Sequence, residues 1–149
     1  MSTISKVAFH CSRRVEFADT DAAGIVHFSS YFRYMEFAEA AFFRSHGWPL
    51  LEEREGGAFG FPRVNTKARF KAPLFFDEEV HIELSIRELE RARIHYEFRF
   101  LKDSKDGRQT VATGEMTVVY VKRDSPGQKL VPVDIPTQYR DQLIALKTQ

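Results

Sequence analysis

Arg14-Val15-Glu16-Phe17-Ala18-Asp19-Thr20-Asp21-Ala22-Ala23-Gly24-Ile25-Val26-His27-Phe28 lies between a stretch whose apolar residues alternate and one where they crowd together. Upstream, Val7, Phe9, Cys11, Val15 and Phe17 share one parity and His10, Ser12, Arg14 and Glu16 the other. That period of two predicts a half-buried strand over residues 7–17, imperfect at Arg13. Downstream, from Ser29 to Arg44, aromatic residues and alanines leave little polar surface, and Ser29, Arg33, Glu36 and Glu39 gather on one side at 100° per residue. This pattern predicts a mostly buried helix with a narrow polar stripe, stopped by Gly47 and Trp48-Pro49. A strand that turns into a helix points the helix's free backbone N–H groups back at the turn, where they meet Asp19 or Asp21.

The remainder of the chain alternates. Val80, Ile82, Leu84 and Ile86 oppose His81, Glu83 and Ser85, and Ile94, Tyr96, Phe98 and Phe100 oppose His95, Glu97 and Arg99. Residues 88–93 join these two strands as a hairpin, and residues 103–108, with Asp106-Gly107, make a second turn into a strand over 110–121. Gly56, Gly57 and Gly60 read as a loop, Pro126-Gly127 closes the last strand, and Tyr139, Leu143 and Leu146 mark a short helix after Pro136. With the stretch in which Lys67, Arg69 and Lys71 share one strand parity, the order is one strand, one long helix, four antiparallel strands and a minor helix, an α+β layout in which a sheet wraps a helix. Its 149 residues suit one domain over 1–149. Such a sheet leaves a face or its edges uncovered, so a homo-oligomer is expected.

Twenty-two basic and 21 acidic side chains leave a net charge of +1, which gives no reason to expect nucleic acid as a partner. The single cysteine, Cys11, excludes an internal disulfide and a multi-cysteine zinc site, and reads as a small core or interface residue. Met1 to Lys6 contain no apolar signal core and no run of about 18 apolar residues follows, so a soluble, cytoplasmic protein without membrane insertion is expected. Motifs for serine hydrolases and P-loop nucleotide hydrolases are absent, and Gly56-Gly57-Ala58-Phe59-Gly60 does not sit between a strand and a helix as a dinucleotide loop would. The five histidines show no familiar metal-ligand spacing, so no metal or cofactor is expected. Asp-x-Asp alone is most simply a pair that caps or braces a turn.

Arg14-Val15-x4-Thr20-Asp21-x2-Gly24-Ile25-Val26, continuing through Tyr31 and Glu36, resembles the active-site signature of the 4-hydroxybenzoyl-CoA thioesterase family of hotdog-fold proteins. Gly60-x-Pro62, the hairpin at Arg91 and Val133-x-Ile135-Pro136-x-x-Tyr139 resemble later segments of that family. The resemblance implies a five-stranded antiparallel sheet curled around one long helix, assembled as dimers or dimers of dimers with the active site at the dimer interface. It implies an acyl-CoA thioesterase for which Asp21 is the catalytic carboxylate, as nucleophile or general base, while the aromatic residues Phe28, Phe32, Phe59 and Phe61 suit an aryl or medium-chain acyl group. Gly24 permits the tight turn beside Asp21, and the Phe28 backbone N–H is the oxyanion donor. His27-Phe28 stands where several relatives carry Tyr-His, so His27, with Tyr31 and Phe61, is assigned to the substrate pocket. Arg91 and Arg93 are assigned to the CoA phosphates, with Lys67, Arg69 and Lys71 as the alternative. Asp19 is expected to orient the turn and Glu36 to pair with Arg33. The competing readings are an acyl-carrier-protein thioesterase, a hotdog dehydratase, and a non-catalytic acyl-CoA-binding scaffold.

Overall fold

The long helix, α1 (Phe28–Ser45), starts one residue before the predicted first position because His27 caps it, its ring Nδ1 accepting the Ser29 N–H. It ends where Gly47 turns left-handed at φ 70°, with the Gly47 N–H on Arg44 O and the Trp48 N–H on Phe43 O. The computed structural model describes residues 6–147, so residues 1–5, read above for a signal core, lie outside the described residues. Around α1 curls a five-stranded antiparallel sheet in the order β1-β5-β6-β7-β4. Its strands are β1 (Val7–Arg14), β4 (Arg63–Phe70), β5 (Glu79–Leu89), β6 (Arg93–Ser104) and β7 (Gly107–Val119). Side chains at every second position of β5 and β6, among them Ile82, Leu84, Ile94 and Phe100, are wholly buried against the helix face that carries Tyr34, Met35, Ala38 and Phe42. Gly114 on β7 lets that helix approach, since a Cβ there would stand 2.2 Å from Met35 Cε.

Five sequence expectations change. The first strand stops at Arg14, and Phe17–Asp19 form a single 3-10 turn that leaves Phe17 79% exposed instead of inward. A bulge between Val7 and Phe9 puts Val7 on the outer face. The expected glycine loop is a hairpin of β2 (Leu51–Arg54) and β3 (Gly57–Gly60), which joins β8 (Val121–Arg123) and β9 (Val131–Pro132) in a second, four-stranded sheet. Gly57 is required there, because at φ 124° a Cβ would meet Arg123 O at 2.3 Å. The strand expected over 110–121 therefore breaks at Tyr120, whose N–H leaves the ladder for Ala92 O at 2.7 Å. Glu39, assigned to the polar stripe, is instead fully buried and ion-paired with Arg63 of β4.

The terminal helix, α2 (Thr137–Lys147), packs Tyr139 and Leu143 into the core. β4 is an edge strand with nearly all its side chains in solvent, including Val64 and Phe70. Among the described residues no helix is long and apolar enough to cross a membrane.

Candidate active site

The carboxylate turn is held first by itself. Asp21 donates its N–H to Ile25 O at 2.8 Å, Gly24 returns its N–H to Asp21 O at 3.0 Å, and Gly24 takes φ 84°, a conformation that glycine adopts without a side-chain clash. Asp21 Oδ1 accepts the Ala23 N–H at 2.8 Å and the Ile25 N–H at 3.4 Å, while Oδ2 accepts no hydrogen bond among the described residues. The half-buried carboxylate is thus anchored by one oxygen and free at the other. The turn is held second by a distant segment, because Val26 donates to Leu74 O at 2.8 Å and Ile25 bridges to Phe75.

The helix begins immediately after. Phe28 occupies the first position of α1, where its N–H has no carbonyl one turn earlier in the helix to bind. The helix dipole adds about half a positive charge at that end. Phe28's ring is 61% exposed and stacks obliquely on His27, 4.4 Å away. His27 is bound to Ser29 through Nδ1, at 2.7 Å to the hydroxyl, so it serves as the cap. Tyr31 is buried, with Phe70 5.2 Å and Phe100 5.3 Å from its ring. Burial and then the charge of Glu78 raise its hydroxyl to about 12, so it remains protonated.

Asp19 is buried and does not share the free position of Asp21. Its Oδ2 accepts the Glu16 N–H at 2.9 Å and the Tyr34 hydroxyl at 3.0 Å. Arg33 lies 3.8 Å from Asp19 Oδ1 and donates to Ser30 Oγ, in place of the expected pair with Glu36, which is exposed.

Other assigned residues are dispersed. Phe61 packs on Phe43 and Tyr120 at the far end of α1, so it is a core residue away from the turn. Arg91, in the β5–β6 turn, is ion-paired with Asp134, and Arg140 braces the same turn by donating to Glu90 O at 3.0 Å. Arg93 is exposed and lines a shallow cavity of about 510 Å³ with Asn65, Arg87, His95 and Thr117. Lys67, Arg69 and Lys71 line a separate hollow of about 390 Å³ on the outer sheet face, where Lys67 pairs with Glu115 at 3.2 Å. Glu79, His81 and Asp103 bring three ligand-type atoms within 4.8 Å of one another across β5 and β6, a proximity that linear spacing does not reveal.

Sequence reading missed the segment 70–76. It places the exposed rings of Phe70 and Phe75 beside the turn and the helix start, Phe70 through Tyr31 and Phe75 through Ile25. The available signal was an unusual density of phenylalanine in a stretch with no strand alternation.

The model of the thioesterase-like superfamily matches residues 15–143. A putative esterase of Aquifex aeolicus is 40% identical over 91 residues, covering 61% of this chain and 70% of its own. The 4-hydroxybenzoyl-CoA thioesterase of Pseudomonas sp. strain CBS-3 is 29% identical over 130 residues, covering 85% and 91%. Among solved structures, a gentisyl-coenzyme A thioesterase superposes with a TM-score of 0.72 at 32% identity, covering 89% of this chain and 99% of that one.

Proposed function

The chain belongs to the thioesterase-like superfamily, and from that premise we propose that it hydrolyses an aryl or medium-chain acyl-CoA to the free acid and CoA, with Asp21 as the catalytic carboxylate. The observation that carries this reading is the half-free carboxylate of Asp21, fixed through Oδ1 in a turn that abuts the open N-terminus of α1. A thioester carbonyl polarised by the Phe28 N–H and the helix dipole develops negative charge where those positive ends stabilise it. Asp21 then attacks the carbonyl carbon, expelling the CoA thiolate and leaving a mixed anhydride for water to open, or it takes the proton of a water that attacks directly. His27 holds the helix start and Tyr31 backs the pocket wall.

The rings of Phe28, Phe70 and Phe75 favour a flat or apolar acyl group, in keeping with the hydroxybenzoyl and gentisyl groups named for two relatives. For the CoA phosphates Arg93 is the better candidate, because Arg91 is engaged by Asp134. The exposed edge strand β4 supports assembly with a second copy of the chain through that edge. Asp21→Asn is expected to lower kcat at least about 10²-fold with folding retained. Activity equal to the native protein, or binding of acyl-CoA thioesters with no hydrolysis by the native protein, removes this reading.

A further inference from the structure

Asp19 is 5% exposed, and a buried carboxylate is tolerated only when its oxygens are bound. Among the described hydrogen bonds, those joining residues 19–21 to the cap and first two turns of α1 all pass through Asp19. Its carbonyl accepts the His27 N–H and the Ser30 hydroxyl, both at 2.8 Å, and its Oδ2 accepts the Tyr34 hydroxyl at 3.0 Å. The same Oδ2 takes the Glu16 N–H at 2.9 Å, so the end of the strand is tied in as well. Among the described residues, Asp21 bonds only within its own turn. Tyr34 is a firm post for the tie. It is fully buried, its ring lies 5.9 Å from Tyr31 and 6.5 Å from Phe100, and the Arg13 guanidinium covers it at 5.6 Å.

We propose that the Tyr34–Asp19 hydrogen bond is a positioning device, which sets the Asp21 turn against the first turn of α1 so that carboxylate and backbone donor meet on one thioester. This rests on the catalytic reading of Asp21 given above. Reacting atoms must lie about 3–3.5 Å apart, and a misplacement of about 1 Å costs on the order of 10²-fold in rate. A tie from the rigid core to the carboxylate turn acts on that distance without touching substrate. The device needs an acceptor at Asp19 and not its charge. Asparagine at position 19 keeps one oxygen that both the Glu16 N–H and the Tyr34 hydroxyl reach, whereas alanine keeps none.

The test is steady-state kinetics on the assembled protein with 4-hydroxybenzoyl-CoA and octanoyl-CoA, together with thermal unfolding of each variant. Tyr34→Phe and Asp19→Ala are expected to lower kcat by about 10- to 100-fold with KM within about threefold of the native value, and Asp19→Asn to restore kcat to within about threefold. If Tyr34→Phe and Asp19→Ala lower only the unfolding temperature while kcat per folded molecule is unchanged, the tie is structural and the proposal fails. If Asp19→Asn is as damaging as Asp21→Asn, Asp19 acts by its charge and the proposal fails. A fully active Asp21→Asn overturns the catalytic reading and the device with it, whereas an inactive Asp21→Asn beside a native-like Tyr34→Phe overturns the device alone.

Discussion

Glu39 should make stability depend on pH in a direction opposite to that of most carboxylates. It is fully buried on α1, its Oε1 on Arg63, while Oε2 and the neighbouring Tyr96 hydroxyl have no hydrogen-bond partner among the described residues. Burial raises its carboxyl, Glu36 adds to the rise, and Arg63 pulls against it, leaving a value of about 7. The folded protein therefore holds this proton more tightly than the unfolded chain, and the stability so conferred is complete below about pH 4.5 and lost as pH climbs through 7. At about 1.36 kcal/mol per pH unit, the interval from 4.5 to about 7 corresponds to about 3 kcal/mol. Denaturant unfolding from pH 4.5 to 8.5, at one protein concentration, measures it against Glu39→Gln, which imitates the protonated acid at every pH. Subtracting the two curves cancels the other titrating groups. The native protein should lose about 3 kcal/mol relative to the variant across that range, the fall centred on the interval between the two values. Parallel curves would show that Glu39 remains ionised beside Arg63, and the desolvation argument would be refuted.

Three further outcomes are expected. Gly114→Ala drives a Cβ into the buried Met35 and should destabilise by about 1–3 kcal/mol in thermal unfolding; an unchanged midpoint would mean that Met35 has room to yield. Arg93→Ala should raise KM for a CoA thioester and not for the matching pantetheine thioester, with a smaller effect of Arg91→Ala because Asp134 already holds it; equal responses of both substrates would place the nucleotide elsewhere. Light scattering should return a multiple of 17.3 kDa, and a stable, active monomer of that mass would contradict a site completed by a second copy.

The wrapped helix and the core of the sheet were legible because their residues report their own surroundings. Val80 to Ile86 alternate because one face of β5 meets α1 and the other meets water, and the Gly47 stop is a local conformational demand. What stayed hidden depends on partners far along the chain. Glu39 looks like a solvated helix charge until Arg63 arrives from β4, and Gly56 to Gly60 look like a loop until β8 supplies a strand to pair with β3. Phe17 has the parity of a core residue, but the strand that would have turned it inward ends at Arg14. At the site, Asp21, Gly24 and the helix start lie in one continuous stretch and could be found together. Phe70 ends β4 and Phe75 follows it, where a density of phenylalanine marks the segment but not its destination, and Phe61 shares their chemistry without their location.

The attachment of the turn to Leu74 and Phe75 has a consequence for how the protein comes into being. Residues 25 and 26 leave the ribosome almost fifty positions before the backbone that will bind them, and closing so long a loop is repaid only when the sheet is largely assembled. A nascent chain or a trapped intermediate can therefore hold a well-formed α1 and still lack a docked carboxylate turn. Protection of the Val26 amide from deuterium exchange would mark the moment when this happens, and it should share the slow, global opening of β5 and β6 instead of the quick fraying of a surface loop.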